Sequence, residues 1–360
     1  MGFIPWGGYA PTKETGGNSM KIRLTALGML AFAGSSLAQP GRAPAPATPE
    51  ALVNAAKTAA GMDFSGTFLR ICVNPQNAVA NGAGRAGPGR GAGAAAAPRP
   101  APDRATWYAA PYKVFDNLYF VGTKIHNSWA LTTSGGIIII DTLFDYAIQP
   151  EIVDGLTKLG LNPRDVKYVI ITHAHGDHDQ GAALLQSRYG AHVVMGAADW
   201  DSTLARPATA AGGVPRRGPG DISVGPEGYK LTLGDTSVNI IATPGHTPGT
   251  ISMTFPVKDH GRLLTVAYSG GTAFNFPRTA ENFAIYEATQ KKMGAAAAAA
   301  GATVLMSNHT EFDGAYDKVR LAQLPRAAGE PHPYEVGADA IRRYFEMTAD
   351  CAESQRLLTK

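Results

Sequence analysis

The chain of 360 residues has little of the charge that marks several large classes of protein. Only 17% of its residues are charged, and the formal net charge is +3. That surplus is too small to indicate a nucleic-acid partner, and no stretch interleaves basic and aromatic residues. Hydrophobic residues make up 44% of the chain, so a sizeable buried core is expected instead.

Cysteine is also scarce. The two cysteines, Cys72 and Cys351, lie near opposite ends of the chain, and neither has a histidine beside it in the sequence. A nucleophilic cysteine is therefore not expected. In an exported protein the two could form a disulfide, but they could equally be two separately buried thiols. The sequence leaves both alternatives open.

The apolar run near the start of the chain, LTALGMLAFAG, is too short to cross a bilayer as an ordinary helix. It follows the basic stretch MKIR and precedes a small-residue pattern that ends at Ala38, which is typical of a secretory signal peptide. We predict an N-terminal extension over 1–19, a signal peptide over 20–38, and an exported, periplasmic protein without membrane contact after cleavage. An uncleaved amphipathic anchor fits less well, because the run is uniformly apolar.

The next part of the chain has few large apolar side chains. Residues 39–49 are rich in proline and alanine, and residues 80–105 contain mainly glycine, alanine, proline and arginine. Such segments bury too little surface to offset the entropy of ordering. Between them, EALVNAAKTAAG predicts a short helix that ends at Gly61. We predict a linker with this helix and a mobile low-complexity segment over 39–111, and a catalytic domain over 112–360.

From Tyr112 onward the pattern changes to strands and helices. The runs IIII, before Asp141, and YVII, before Thr172, predict strands that are buried on both faces. Strands come first and are followed by alternating helices and strands, and this order occurs twice. It indicates an α/β protein with two sheets packed together and helices outside them.

Histidine and aspartate are concentrated in THAHGDHD, residues 172–179. His173 and His175 are two positions apart, so both point the same way at an extended strand exit and can share one metal ion. Asp177 and His178 are adjacent, leave on different sides, and can reach a second ion nearby. Zinc binds imidazole nitrogen and carboxylate oxygen, and a catalytic zinc keeps one position for water.

This local cluster supplies at most two ligands to each ion, so the others must come from distant parts of the chain. TPGHTPGT presents His246 in a rigid turn between strands, and LMSNHTEF presents His309 directly after a buried strand. A single histidine of this kind is ordinarily part of a satisfied turn or of the core. Together with the strand that ends at Asp141, four ordered motifs favour a metal site.

The four motifs, IIIIDT, THAHGDHDQG, ATPGHTPGT and LMSNHTEF, resemble those of the metallo-β-lactamase superfamily in order and separation. The resemblance covers roughly residues 112–330. It implies a four-layer αβ/βα sandwich with two Zn²⁺ ions at one edge of the sheets. The ligands that it implies are His173, His175 and His246 for the first ion, and Asp177, His178 and His309 for the second.

One position departs from several branches of this superfamily. Lactonase-like and glyoxalase-like members have a metal-bridging aspartate after the strand that follows ATPGHTPGT, and two β-lactamase subclasses have a cysteine ligand there. This chain has Gly270 or Gly271 at that position. The remaining ligand set is similar to that of the third subclass of class B β-lactamases, which a leader peptide also fits. Asp141 corresponds to a structural aspartate that is not a ligand.

The resemblance implies a metal-dependent hydrolase that acts on a small-molecule substrate. The first hypothesis is a β-lactamase that opens the β-lactam amide through zinc-bound hydroxide and so confers antibiotic resistance, with Asp177 and His246 as catalytic as well as metal-binding residues. The alternatives are another hydrolase on the same site (lactonase, thioesterase or phosphoesterase) and a non-catalytic metal-binding protein. A monomer is the default expectation.

Four further residues are candidates for substrate contacts. His126 and Trp129 lie in GTKIHNSWAL, at a strand end that faces the metal site in related proteins. Asn275 and Phe276 lie just beyond the missing bridging ligand. We predict that these side chains line the pocket; a core or surface position is the alternative for each.

Overall fold

The computed structural model describes residues 47–73, 101–204 and 215–359. The predicted N-terminal extension and signal peptide, and most of the predicted low-complexity segment, lie outside these ranges. Residues from Ala47 onward form one compact unit. None of the helices in the described ranges combines the length and the apolar character that a bilayer crossing requires.

Two β-sheets lie at the centre of the described residues. Their strands are β1 (Tyr112–Phe115), β2 (Leu118–Phe120), β3 (Trp129–Thr133), β4 (Gly136–Ile140), β5 (Val166–Ile171), β6 (His192–Gly196), β7 (Ile222–Val224), β8 (Tyr229–Leu233), β9 (Thr236–Ala242), β10 (Ile251–Asp259), β11 (Arg262–Ser269) and β12 (Val304–Ser307). The first sheet has the order β1-β2-β3-β4-β5-β6-β7, and the second has the order β12-β11-β10-β9-β8.

Helices cover the outer faces of both sheets. They are α1 (Pro49–Ala60), α2 (Ser65–Phe68), α3 (Arg104–Trp107), α4 (Asp145–Ala147), α5 (Asp154–Lys158), α6 (Gly176–Asp179), α7 (Ala182–Tyr189), α8 (Ala197–Leu204), α9 (Ala280–Ala299), α10 (Thr310–Asp313), α11 (Ala315–Leu321) and α12 (Ala338–Leu358). Two π-helical turns, Leu69–Val73 and Ile148–Val153, and a 3₁₀ turn, Pro163–Asp165, continue or connect them.

The run of isoleucines in β4 shows how the layers are held together. Ile138 and Ile140 pack between the two sheets, whereas Ile137 and Ile139 pack on the other face with the helical layer of the first sheet. Successive side chains of a strand point to opposite faces, so one strand serves two cores. On the second sheet, Ala267 of β11 packs with the layer that contains α9 and α12. This helix–sheet–sheet–helix order confirms the predicted αβ/βα sandwich.

Parallel pairing brings the motif loops to one edge of the sandwich. In the first sheet β4, β5, β6 and β7 run parallel, and in the second sheet β11 pairs in parallel with β12. The carboxyl ends of parallel strands meet at the same edge, where ligands usually bind. The loops after β4, β5, β11 and β12 carry Asp141, the histidine motif, Gly270 and His309.

The segment predicted as a linker contributes to the packed domain. α1 begins after Thr48, whose hydroxyl accepts a hydrogen bond from the backbone of Ala51, and it is followed by Gly61, which confirms the predicted short helix. Small residues on one face of α1 are buried against the layer of α12, and Phe64 meets Tyr344 edge to face. Trp107 is buried in the core of the first sheet.

The predicted domain boundary at residue 112 is therefore wrong: the packed unit begins at Ala47. The composition of 39–111 as a whole concealed these short apolar faces, because glycine and proline are frequent in much of that segment. An alanine face nevertheless allows close helix packing, and Ala56 and Ala60 are almost fully buried.

Cys72 and Cys351 form a disulfide, with their Cα atoms 5.0 Å apart across a sequence separation of 279. The bond joins the π-helical turn after α2 to α12, and both cysteines are buried. Of the two alternatives left open by the sequence, the structure has the bridge.

We expect reduction of this disulfide to lower the free energy of unfolding by about 5 kcal/mol, because a cross-link that closes so long a loop removes much entropy from the unfolded chain. Urea unfolding of the oxidised and reduced protein measures the difference. The double variant Cys72→Ala/Cys351→Ala should unfold like the reduced protein. Equal unfolding midpoints in the oxidised and reduced states would contradict the expectation.

Candidate metal centre

The structure brings the six predicted ligand residues together. His173 and His175 follow β5, and Asp177 and His178 lie in the single turn of α6. The other two histidines come from the second sheet, one from the turn between β9 and β10 and the other from the loop after β12. All except His175 and His309 are buried, so the cluster opens to solvent at those two side chains.

Three histidines form the first group. His173 Nε2 lies 3.1 Å from His246 Nε2, which lies 3.2 Å from His175 Nδ1. Two ligand atoms bound to one tetrahedral zinc ion at 2.0–2.1 Å are about 3.3 Å apart. The three nitrogens therefore have the spacing of zinc ligands, and the three residues form a group that could hold a metal ion.

The second group surrounds a carboxylate. Asp177 Oδ2 lies 3.3 Å from His178 Nε2 and 3.3 Å from His309 Nε2. The two imidazole nitrogens are 3.1 Å apart. These distances are again those of atoms that share one tetrahedral ion, so the predicted second ligand set also converges.

Hydrogen bonds from the nitrogens that face away from the cluster set the tautomer and the ring orientation of two of the histidines. His173 Nδ1 lies 2.9 Å from the carbonyl oxygen of Gly270, and His246 Nδ1 lies 2.7 Å from that of Ala273. A carbonyl oxygen only accepts, so each Nδ1 carries the proton and donates it. Each Nε2 is then left with its lone pair directed into the cluster, as a metal ligand requires.

Asp141 organises the loop that carries the second group. Its carboxylate accepts hydrogen bonds from the backbone N–H of Thr172 at 2.7 Å, from the hydroxyl of Thr172 at 2.8 Å, and from His178 Nδ1 at 2.9 Å. Its backbone φ is +60°, a left-handed conformation that non-glycine residues rarely adopt. The hydrogen bonds hold the residue there, and they make Asp141 a positioning residue for His178.

Burial and charge together suit the cluster to a cation. Burial lowers the pKa of His246 to about 3 and lowers the pKa of His173 well below its ordinary value, so both are neutral as metal ligands must be. Burial raises the pKa of Asp177, but the neighbouring His178 outweighs it and holds that pKa well below its usual range. The carboxylate is therefore ionised.

His178 lies between two carboxylates. Burial lowers its pKa, but Asp177 and Asp141 together raise it to about 10. Without metal, a protonated imidazole thus supplies the positive charge that these buried carboxylates need. A bound metal ion would supply that charge instead, and the donor set fits one.

Backbone packing explains why glycine stands where a bridging ligand is expected. A side chain at Gly270 would overlap the carbonyl oxygen of Ile251, and a Cβ atom at Gly271 would lie 2.5 Å from Cβ of His246. The loop therefore approaches its neighbours too closely to carry an aspartate or a cysteine.

The four residues predicted to contact substrate lie in different environments. His126 lies in the cluster, with Nε2 3.4 Å from Asp177 Oδ2. Trp129 does not: it is fully buried between the sheets, with its ring edge to face against Phe120 and Tyr334. The prediction for Trp129 is wrong, because the first residue of β3 points to the inner face of the sheet.

Asn275 and Phe276 follow Ala273, whose carbonyl oxygen holds His246. Asn275 is exposed, and Phe276 is half-buried against Phe283 and Tyr286. Their contact with a substrate stays a prediction.

Sequence reasoning missed two residues that tie the loops together. The Asp199 carboxylate accepts hydrogen bonds from the backbone N–H groups of Ala174 and Gly249 and from the hydroxyl of Thr247, so it joins the two histidine turns. Asn308 donates from its side chain to Gly270 at 2.7 Å. In the sequence, only the position of Asn308 next to the predicted ligand His309 indicated that either residue belongs to the site.

Comparisons with known proteins identify a family model and solved structures that this chain resembles. Residues 121–265 match the family model of the metallo-beta-lactamase superfamily. A solved structure, the subclass B3 metallo-beta-lactamase BJP-1 of Bradyrhizobium japonicum, is similar with a TM-score of 0.54 and 28% identity, over 66% of this chain and 89% of that one.

Two curated relatives match over shorter stretches. The chain is 38% identical to a hydroxyacylglutathione hydrolase of Acidiphilium cryptum (strain JF-5) over 88 residues, 24% of this chain and 30% of the relative. It is 27% identical to a protein of Burkholderia pseudomallei (strain 1710b) named "Probable metallo-hydrolase" over 161 residues, 39% of this chain and 51% of the relative. The chain thus spans at most about half the length of these two relatives.

We expect Asp141→Asn to weaken binding of the metal ion at Asp177 and His178 by about 10- to 100-fold, the usual effect of removing a hydrogen-bond partner of a ligand histidine. Titration with zinc under a competing chelator measures the affinity. Asp317→Asn, at a side chain that is 79% exposed, serves as the matched control. Unchanged zinc affinity in Asp141→Asn would show that the carboxylate does not position His178.

We expect Gly270→Ala to lower the free energy of unfolding by about 3 kcal/mol, because the added carbon has to displace the Ile251 carbonyl in a packed core. Urea unfolding provides the measurement. Gly66→Ala is the control: a Cβ there meets nothing within 4 Å, so the variant should be as stable as the wild type or slightly more so. If both variants unfold at the same urea concentration, the steric account of Gly270 is incorrect.

Proposed function

We propose that this chain, which carries a domain of the metallo-beta-lactamase superfamily and has its fold, is a two-zinc hydrolase that opens β-lactam rings. The observation that carries the proposal is the ligand arrangement. One group has three histidines, the other has an aspartate with two histidines, and the backbone at Gly270 and Gly271 leaves no room for a bridging carboxylate. The similarity to BJP-1 over most of that enzyme's length supports it.

The six ligand residues would bind two zinc ions, three residues to each ion. His173, His175 and His246 would hold the first zinc. Asp177, His178 and His309 would hold the second. A bound zinc pair supplies Lewis acidity, which polarises a carbonyl group and makes water acidic enough to attack it near neutral pH.

Asp177 is the catalytic carboxylate of this proposal. It is ionised and buried among histidines, so its oxygens can accept a hydrogen bond from the attacking water and orient that water toward the carbonyl. The hydrogen bond from His246 Nδ1 to the carbonyl of Ala273 orients the His246 imidazole toward the cluster. His175 and His309, the partly exposed members, mark the side from which substrate enters.

Hydrolysis of hydroxyacylglutathione is the second candidate. The 38% identity to a hydroxyacylglutathione hydrolase favours it, although the match covers only 30% of that relative. The absence of a bridging aspartate at Gly270 favours the β-lactam substrate, since glyoxalase-like members of the superfamily usually have that aspartate.

We also propose that the protein is exported to the periplasm. The signal-peptide pattern over 20–38 supports export, and so does a buried disulfide, because such bonds persist mainly in oxidising compartments.

We expect the purified, zinc-loaded protein to hydrolyse a chromogenic cephalosporin, a penicillin or a carbapenem faster than a lactone or hydroxyacylglutathione. Chelation should abolish turnover, and added zinc should restore it. Asp177→Asn should lower kcat by at least about 100-fold, the usual contribution of a positioned acid–base group, whereas Asp317→Asn should leave it unchanged. Activity that survives exhaustive chelation would rule out zinc chemistry, and turnover of hydroxyacylglutathione alone would select the second candidate.

A further inference from the structure

His126 is a histidine of the cluster that the six-ligand set does not use. Its backbone forms an antiparallel bridge with His309. Hydrogen bonds flank this bridge on both sides: Asn127 donates to the carbonyl of Asn308 at 2.9 Å, and Thr310 donates to that of Ile125 at 3.0 Å. The pairing sets the two imidazoles beside each other, with ring centroids 5.0 Å apart.

The imidazole of His126 lies close to Asp177 Oδ2, the carboxylate oxygen that His178 and His309 also contact. Its Nε2 lies 3.4 Å from Asp177 Oδ2, and the Nε2 atoms of His178 and His309 lie 3.3 Å from that oxygen. Two atoms that bind one tetrahedral zinc ion are about 3.3 Å apart. The ligand atoms of His126, Asp177 and His309 lie within 4.8 Å of one another and form a candidate group of metal ligands. His178 is not part of that group, so binding all four side chains to one ion requires them to close around it.

Packing holds His126 in this place. The residue is 7% exposed, and the ring of Phe144 lies edge-on to its imidazole with centroids 5.3 Å apart. Thr123 closes a tight turn around it: the Thr123 hydroxyl accepts from His126 N–H at 2.8 Å, and Thr123 N–H donates to the His126 carbonyl at 2.8 Å. The imidazole therefore faces Asp177 from a fixed backbone.

We propose that His126 is a protein ligand of the second metal ion, together with Asp177, His178 and His309. The inference rests on the proposed two-zinc site. Four protein ligands would complete a tetrahedral set, as in structural zinc sites, whereas the three histidines would leave the first ion a position for water or substrate. The two sites would then differ in role: His126, Asp177, His178 and His309 would hold an ion tightly and share its charge, and the open position would belong to the three-histidine site.

Zinc binding of His126→Ala tests this directly, without reference to activity. The wild type, His126→Ala and His309→Ala are equilibrated against buffered free zinc, and bound metal is measured by mass spectrometry. His260→Ala, whose side chain is 85% exposed, is the control for loss of a histidine. We expect two zinc ions in the wild type and the control. His126→Ala should keep the first ion and bind the second more than about tenfold more weakly, as His309→Ala does.

Cobalt gives a second readout. Co²⁺ placed at the second site of the zinc-loaded wild type should give the strong visible absorption of a four-coordinate ion, and His126→Ala should lose intensity as water enters the vacated position. His126→Asn, which keeps a polar side chain, should behave in the same way. If both variants fail to fold, the wild-type spectrum still tests the proposal. A four-coordinate spectrum that added small anions leave unchanged supports it, because there is no water ligand to displace, whereas a six-coordinate or anion-sensitive spectrum overturns it.

The outcomes also separate this inference from the proposed function. Should His126→Ala bind the second zinc with wild-type affinity and an unchanged cobalt spectrum, His126 is not a ligand, and any loss of kcat would assign it to substrate contact. If the wild type itself binds only one zinc ion, the two-zinc function fails and the proposal for His126 fails with it.

Discussion

The metal centre depends on one buried carboxylate, that of Asp141. Asp141 directly follows β4, and its carboxylate accepts two hydrogen bonds from Thr172, which directly follows β5, and a third from His178 Nδ1, which orients that imidazole. A buried charge is costly unless it is paired and hydrogen-bonded. Here the hydrogen-bond donors lie in the loop that carries the ligands. Forming the hydrogen bonds that the buried Asp141 carboxylate needs therefore also places the metal ligands.

The helical layer of the second sheet supports the other half of the site. Tyr286 of α9 donates its hydroxyl to the carbonyl of Thr272 at 2.7 Å, and the Tyr344 hydroxyl of α12 lies 2.9 Å from the Thr272 side chain. Thr272 precedes Ala273, which holds His246. α12 is itself held by packing against α1 and by the disulfide to Cys72. Segments that are far from the ligands in sequence therefore stabilise the loop that positions His246.

Much of this could be predicted from the sequence, because the strongest signals are local. The period of β4 and the spacing of His173 and His175 depend on neighbouring residues, and the motifs around His246 and His309 indicated ligand-bearing turns. The place of His126 near the metal site was predicted from the resemblance, but its backbone bridge to His309 could not be, since the bridge joins loops that are 183 positions apart. Trp129 was misplaced because the first residue of a strand can face either side of the sheet. The alanine face of α1 was missed because it lies in a segment rich in glycine and proline.

A crystal grown with zinc and measured at the zinc absorption edge tests the two-ion centre most directly. Two anomalous peaks about 3.5–4 Å apart are expected, one among His173, His175 and His246 and the other beside Asp177 and His309. A single peak, or peaks away from these side chains, would contradict the account.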